Sequence, residues 1–337
     1  MRQLPLVSVV MPAYNSEIYI AEAITSILKQ SYTNIELIIV NDASTDGTMS
    51  IIKSFSDSRI RVLSNEKNSG VSFSLNRAID CSQGKYIARM DADDVAFPDR
   101  IEKQVAFMER TPSCGVCGTF AKEYNGRRIF YHLTKNEDIQ ISLLFQNTFI
   151  HPTVIFRAEL IKKHKYSEEF NFCEDYELWC RLSKETCFVN LPNVSLRYRV
   201  YGGSVSFSKK STMEALRERI VRKLLLELEV QPTERELFLQ MNMANVFDKK
   251  KELLCDKLFL SDLSDWLLIL SEQNNKLKIY DANAFYSIML FRLILACHFL
   301  KKYSPLYKKN VWKYISFCSF VNLLKLFIKK AYIGLFY

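Results

Sequence analysis

Residues 86–94 read Tyr-Ile-Ala-Arg-Met-Asp-Ala-Asp-Asp, an apolar-rich run that ends in acid. Tyr86–Met90 has the make-up of a buried strand. Alternate side chains of an extended chain point the same way, so Asp91 and Asp93 can converge on one point. Two carboxylates there repel each other unless a divalent cation joins them, and hard oxygen ligands suit Mg2+ or Mn2+. Fifteen Asp in 337 residues give about 0.7 chance matches to D-x-D. What sets this one apart from a solvated acidic turn is its place at a strand end.

Working outward, Leu6–Met11 reads as a strand, and Ile18–Gln30 as a helix with Ile20, Ile24, Ile27 and Leu28 on one face. Ile35–Val40 is nearly all apolar, as expected of a strand buried on both faces. Thr48–Phe55 (helix), Arg59–Ser64 (strand) and Gly70–Asp80 (helix) complete the alternation. The class expected is α/β, a mostly parallel nucleotide-binding sheet with right-handed crossovers and helices on both faces. Ligands of such sheets bind beyond the carboxyl ends of the strands. Here those ends carry Pro12–Asn15, Asn41–Gly47, Asn65–Gly70 and Asp91–Asp94. None is a Gly-rich phosphate loop, which argues against a dinucleotide oxidoreductase and a P-loop ATPase. Asp42 can accept an N–H from a base or a ribose hydroxyl, while Asp46 or Thr45 can cap the next helix.

Further along, Glu174-Asp175 precedes a helical pattern with Leu178, Trp179 and Leu182 on one face. Acids in a first helical turn suit the helix dipole, and they also suit a general base held at a site by a rigid helix. His151 reads more readily as structural than catalytic. Cys114 and Cys117 are the closest pair among nine scattered cysteines, with no second pair to complete a zinc site. Reduced thiols in a packed interior are expected.

The formal net charge of +9 comes from 46 Lys+Arg and 37 Asp+Glu, and it is concentrated at one end. Residues 282–337 hold nine Lys/Arg, no acid and 14 of the 43 aromatic residues, so residues 1–281 sum to zero. A neutral body gives no support for a nucleic-acid partner. Alternating Lys pairs and aromatic rings instead have the composition of helices in a membrane interface, facing anionic lipid. The competing reading is a basic helical subdomain packed on the body. Ala282–Leu300 carries Arg292 and His298 and is a poor spanning segment.

These segments together resemble the family-two glycosyltransferases, whose catalytic domain has the A-type glycosyltransferase fold. The resemblance is carried by Val7–Asn15, Val40–Thr48, Asn68-Ser-Gly70 with Leu75–Ala78, and Ala88–Asp94 with Pro98-Asp-Arg100. His151–Arg157 and Glu174–Trp179 continue it in the family's order, over about residues 5–205. It implies a nucleotide-sugar donor, in most of the family a UDP-sugar, and Mn2+ or Mg2+ as cofactor. By analogy Pro12, Tyr14 and Asp42 line the base and ribose pocket, with Asn68 nearby. Asp91 contacts the nucleotide, Asp93 the metal, with Asp91 sharing that site, and Asp175 beside Glu174 is the base that deprotonates the acceptor. One base and a diphosphate leaving group imply an inverting displacement.

One departure from the family pattern is Tyr198-Arg-Val-Tyr-Gly-Gly-Ser204, where Tyr201 replaces a histidine that ligates metal or diphosphate. Tyrosine is a poor metal ligand and a good donor to phosphate. No Q-x-x-R-W signature of processive synthases is found, which favours transfer of single sugars.

The expected organisation is a catalytic domain over 1–205, split into a nucleotide-sugar half (1–100) and an acceptor half (101–205). A helical extension (206–281) and a basic aromatic membrane-associating tail (282–337) follow. The expected role is transfer of one sugar to a hydroxyl of a glycan or lipid-linked acceptor, in lipopolysaccharide or capsule synthesis. The expected location is the cytoplasmic face of the cell membrane, as a peripheral protein. The alternative is a non-catalytic scaffold of the same fold, binding membrane or partner enzymes.

Overall fold

The computed structural model describes residues 4–200, 209–243 and 250–300. They fall into two compact units, within Met1–Asn136 plus Thr148–Met213 and within Glu137–Asn147 plus Glu214–Tyr337.

The first unit opens with strand, helix, strand, helix: β1 (Val7–Ala13), α1 (Ile20–Leu28), β2 (Ile35–Asn41) and α2 (Thr48–Lys53). β3 (Ile60–Ser64), α3 (Val71–Cys81) and β4 (Tyr86–Arg89) continue it. β5 (Val95–Ala96), α4 (Arg100–Arg110), β6 (Cys114–Glu123) and β7 (Ile129–Phe130) come next. After α5 (Asn136–Ser142) the chain adds β8 (Ile155–Arg157), α6 (Ala158–His164), α7 (Glu174–Leu182) and β9 (Cys187–Tyr198). All these strands form one sheet in the order β3-β2-β1-β4-β8-β6-β9-β5, with β7 paired to β6. The block β3-β2-β1-β4 is wholly parallel, Val7 lying opposite both Ile35 and Tyr86. Beyond β4 the sheet is mixed: β8 runs antiparallel to β4 and β6, while β6 and β9 are parallel.

The pleat explains the two layers. Val7, Val9, Met11 and Ala13 of β1, with Ile35, Leu37 and Ile39 of β2, share one core with Ile20, Ala23, Ile24 and Ile27 of α1 and Ile101, Val105 and Met108 of α4. The alternate residues Val10, Ile38 and Val40 are also buried, and α3 packs against β1 and β2 with Leu75, Ala78 and Ile79 inside. Strands buried on both faces therefore read as unbroken apolar runs.

The second unit is helical among its described residues. It contains α8 (Lys210–Glu227, which starts in the first unit), α9 (Glu234–Met243), α10 (Lys250–Cys255), α11 (Phe259–Leu277) and α12 (Ala282–Leu300). Thr233 and Glu236 cap α9 reciprocally: Glu236 Oε2 accepts the Thr233 N–H (2.7 Å), and Thr233 Oγ1 accepts the Glu236 N–H (3.3 Å). α12 is long and apolar enough to cross a membrane, with a mean hydropathy of 1.5, yet 61% of its most apolar stretch is buried within the protein. It packs against α11, burying Phe285, Ile288, Met289 and Leu293 among others. The remaining tail and Tyr201 lie outside the described residues.

Candidate active site

At the carboxyl ends of β1 and β2, two loops are interlocked. Asn15 (φ 45°) and Ala43 (φ 56°) adopt the left-handed conformation, which costs a non-glycine residue about 1 kcal/mol or more. Cross-loop bonds hold them there. Asn15 Oδ1 accepts the Thr45 N–H (2.8 Å), Thr48 Oγ1 accepts the Ser16 N–H (2.7 Å), and Glu17 Oε2 accepts the Gly47 N–H (2.6 Å). Asp46, and not Thr45, caps the first turn of α2 by accepting the Thr48 N–H (3.0 Å).

Pro12 is half-buried in this edge, Tyr14 is 47% exposed, and Asn68 is exposed. Asp42 is buried, and its carboxylate organises the neighbouring loop. Oδ1 accepts from Asn65 Nδ2 (2.6 Å) and the Ser69 N–H (2.9 Å), and Oδ2 accepts from the Gly70 N–H (2.9 Å). A carboxylate has about four acceptor positions, so a ligand N–H or O–H can still join it.

Beyond β4, Asp91, Asp93 and Asp94 bring one carboxylate oxygen each within 4.8 Å of the others. Asp91 pairs with Arg89, a guanidinium buried in the strand. Asp94 is 1% exposed; its Oδ1 accepts the Arg199 N–H (2.8 Å), and its Oδ2 has no hydrogen-bond partner among the described residues. Burial raises the Asp94 pKa well above the ordinary carboxylate range, and Asp91 and Asp93 add to the rise. An orphaned, buried carboxylate oxygen beside two other carboxylates fits a divalent cation with oxygen ligands. Asp94 thus joins the pair expected from alternation along a strand. The chain turns after Asp91 rather than staying extended, and this brings consecutive residues to one point.

Arg199 bolts this turn in place. Its Nε–H donates to the Asp93 carbonyl (2.5 Å), its guanidinium stacks 3.4 Å from the Tyr124 ring centroid, and it pairs with Glu22. Arg100, fully buried, donates to the Arg89 carbonyl (2.7 Å) and so fixes β4 from beneath. Motif spacing alone did not assign these roles to the arginines; a charged residue within an apolar run was the available signal.

On the acceptor side, α7 presents Glu174 and Asp175 in its first turn. Glu174 is buried, and desolvation together with Asp175 pushes its pKa up to about 7. Its Oε2 accepts the Phe172 N–H (2.8 Å), holding Phe172 at φ 82°. Tyr166 is influenced by both sets of acids. Its hydroxyl bonds His151 Nε2 (2.8 Å), and Arg89, Asp91, Glu174 and Asp175 all lie near enough to bear on its ionisation. His151 is buried, and burial with the nearby Arg89 lowers its pKa well below the usual imidazole value; it is a neutral structural partner of Tyr166. Cys114 and Cys117 are buried thiols, with the Cys114 pKa raised to about 12 by burial. Such thiols are not poised for redox chemistry.

The model of Glycosyl transferase family 2 matches residues 8–170. A glycosyltransferase of Haemophilus influenzae is 38% identical over 222 residues, 61% of this chain and 69% of its own length. The Escherichia coli UDP-Glc:alpha-D-GlcNAc-diphosphoundecaprenol beta-1,3-glucosyltransferase WfgD is 32% identical over 207 residues, 60% of this chain and 81% of its own. Among solved structures, Staphylococcus aureus TarS (residues 1–349) in complex with UDP-GlcNAc superposes with a TM-score of 0.57 at 21% identity, covering 87% of this chain and 88% of that one. That superposition speaks to the fold, and the A-type sheet followed by helices agrees with it. Sequence likeness across the strand-end motifs and the sheet that positions them lead to one conclusion: the chain is a glycosyltransferase of family 2.

Proposed function

We propose that the enzyme transfers a single sugar from a UDP-sugar to a hydroxyl of a glycan or lipid-linked acceptor, with inversion, in surface-polysaccharide synthesis. The observation that carries this reading is the presence of two separate acid sets in one unit, Asp91-Asp93-Asp94 and Glu174-Asp175, members of both of which bear on the ionisation of the buried Tyr166. Pro12, Tyr14, Asp42 and Asn68 border the nucleotide side. Asp91, Asp93 and Asp94 would hold Mn2+ or Mg2+, which when bound neutralises charge on the leaving diphosphate. Asp175 takes the proton of the acceptor hydroxyl, whose oxygen forms the new bond to the anomeric carbon from the face opposite the diphosphate. The bond to the diphosphate oxygen breaks, and the nucleoside diphosphate leaves with the electron pair. Glu174 anchors the loop before Asp175.

The name of the Escherichia coli relative supports a UDP-linked hexose and a diphospholipid acceptor. Residues 301–337 carry eight Lys and ten aromatic residues, which supports a peripheral position on an anionic membrane face. The test is release of nucleoside diphosphate from a panel of nucleotide-sugars with added manganese, with and without chelator. Turnover of a UDP-sugar lost on chelation is expected. No turnover of any donor with membrane extract as acceptor source would leave the fold as a scaffold instead.

A further inference from the structure

Leu75–Ala78, one of the segments that carry the family resemblance, has no task in the proposed mechanism. It lies in α3, which follows the Asn65–Gly70 loop. Ser74 and Arg77 stand one helical turn apart and so share a face of α3, and both hold the side chain of Asn65. Asn65 Nδ2 donates to Ser74 Oγ (2.9 Å), and Arg77 Nη1 donates to Asn65 Oδ1. The same Nη1 donates to the Ser64 carbonyl (2.9 Å) at the end of β3. The Asn65 backbone is tied to β2, its N–H donating to the Asn41 carbonyl (2.9 Å). Asn65 and Ser74 are buried, whereas Arg77 is half-buried.

The direction of these bonds follows from the chemistry of the groups. A guanidinium can only donate, so Arg77 takes the oxygen of the Asn65 amide. The amide nitrogen is left to face Asp42, where it donates to Oδ1 (2.6 Å). Turned the other way, the amide would set its oxygen against a buried carboxylate and its nitrogen against a cation. The Ser69 N–H on Oδ1 and the Gly70 N–H on Oδ2 complete three donors to Asp42, which leaves the open acceptor position on Oδ2.

We propose that Arg77 is a positioning residue for the nucleoside, fixing through the Asn65 amide the orientation of Asp42 and its open acceptor. The proposal rests on the donor reading above, in which Asp42 meets the base or the ribose. Arg77 acts through Asn65 and not by contact with the donor. Without it the amide is free to turn, and a turned amide repels the carboxylate that the nucleoside needs.

Arg77→Met keeps the apolar stem on α3 and removes the donor. Calorimetry should show it binding uridine, and UDP with manganese, each about 10-fold more weakly than the wild type. Asn65→Ala should lose a similar factor, and the double variant should bind no more weakly than Asn65→Ala, because both changes break one relay. Unchanged uridine affinity in Arg77→Met overturns the proposal; with a lowered thermal midpoint, it would make Arg77 a structural residue only. A loss confined to UDP also overturns it, since the effect would then lie at the diphosphate. Additive losses, about 100-fold in the double variant, would show that Arg77 does not act through Asn65. If the wild type binds neither uridine nor UDP, the donor reading falls first and this one with it.

Discussion

Asp175→Asn should cut turnover by about 10²–10⁴-fold, because the amide cannot take the acceptor proton. UDP binding with manganese should stay close to that of the wild type. Unchanged turnover would remove Asp175 from the mechanism. Glu174 makes a different prediction. Its pKa of about 7 in the folded chain lies above the ordinary 4.5, so the folded state holds this proton more tightly than the unfolded state. Stability therefore falls as pH rises from about 4.5 to 7. Glu174→Gln, which keeps an acceptor for the Phe172 N–H, should escape that fall and gain on the order of 1–3 kcal/mol over wild type at pH 8. Denaturant midpoints at pH 5 and pH 8 measure this; a constant offset between the two proteins would refute it. Asp91 and Asp93 were legible as a D-x-D at a strand end, although a turn after Asp91, and not alternation along a strand, brings them together. Asp94, Arg89 and Arg199 were not, since their roles depend on a turn and on a strand about a hundred residues away.

Among the elements, the parallel strands and their helices were read to within a few residues, because both-face burial leaves unbroken apolar runs. The mixed half was harder. β8 and β5 are three and two residues long, and their pairing with β4, β6 and β9 is set by tertiary contacts and not by local pattern. The loop before α3 gives an element-level test. Gly70 sits at φ 89°, a Cβ there would lie 2.9 Å from Asn171 Nδ2, and its N–H is bound to Asp42. Gly70→Ala should cost about 1 kcal/mol or more and loosen the loop that Asp42 organises. A thermal midpoint equal to that of the wild type would show that the loop tolerates the change.

At the scale of the whole molecule, the basic tail divides. α12 is part of the helical core, so deletion of residues 282–337 would expose α11 and unfold the second unit. Truncation after Leu300 removes eight of the tail's nine basic residues and spares α12. That variant should stay folded by circular dichroism and leave the membrane fraction on sedimentation. Persistence in that fraction would place the anchoring elsewhere. The composition of 282–337 showed that the tail differs from the body, but it could not separate a buried helix from a surface one, since both are apolar and aromatic.

The second unit draws on two stretches of chain, 137–147 and the residues from 214 onward. Ile139, Ile141, Leu143, Leu144 and Phe145 are buried, and the carbonyls of Leu144 and Phe145 are held by Gln240 and Arg217. During synthesis those apolar side chains emerge 67 residues before their partners begin, the gap from 147 to 214. At ribosomal rates that is a delay of roughly 3–13 s. A nascent chain stalled within that window should therefore be a client for chaperones that bind short hydrophobic segments, and one released beyond α11 should not.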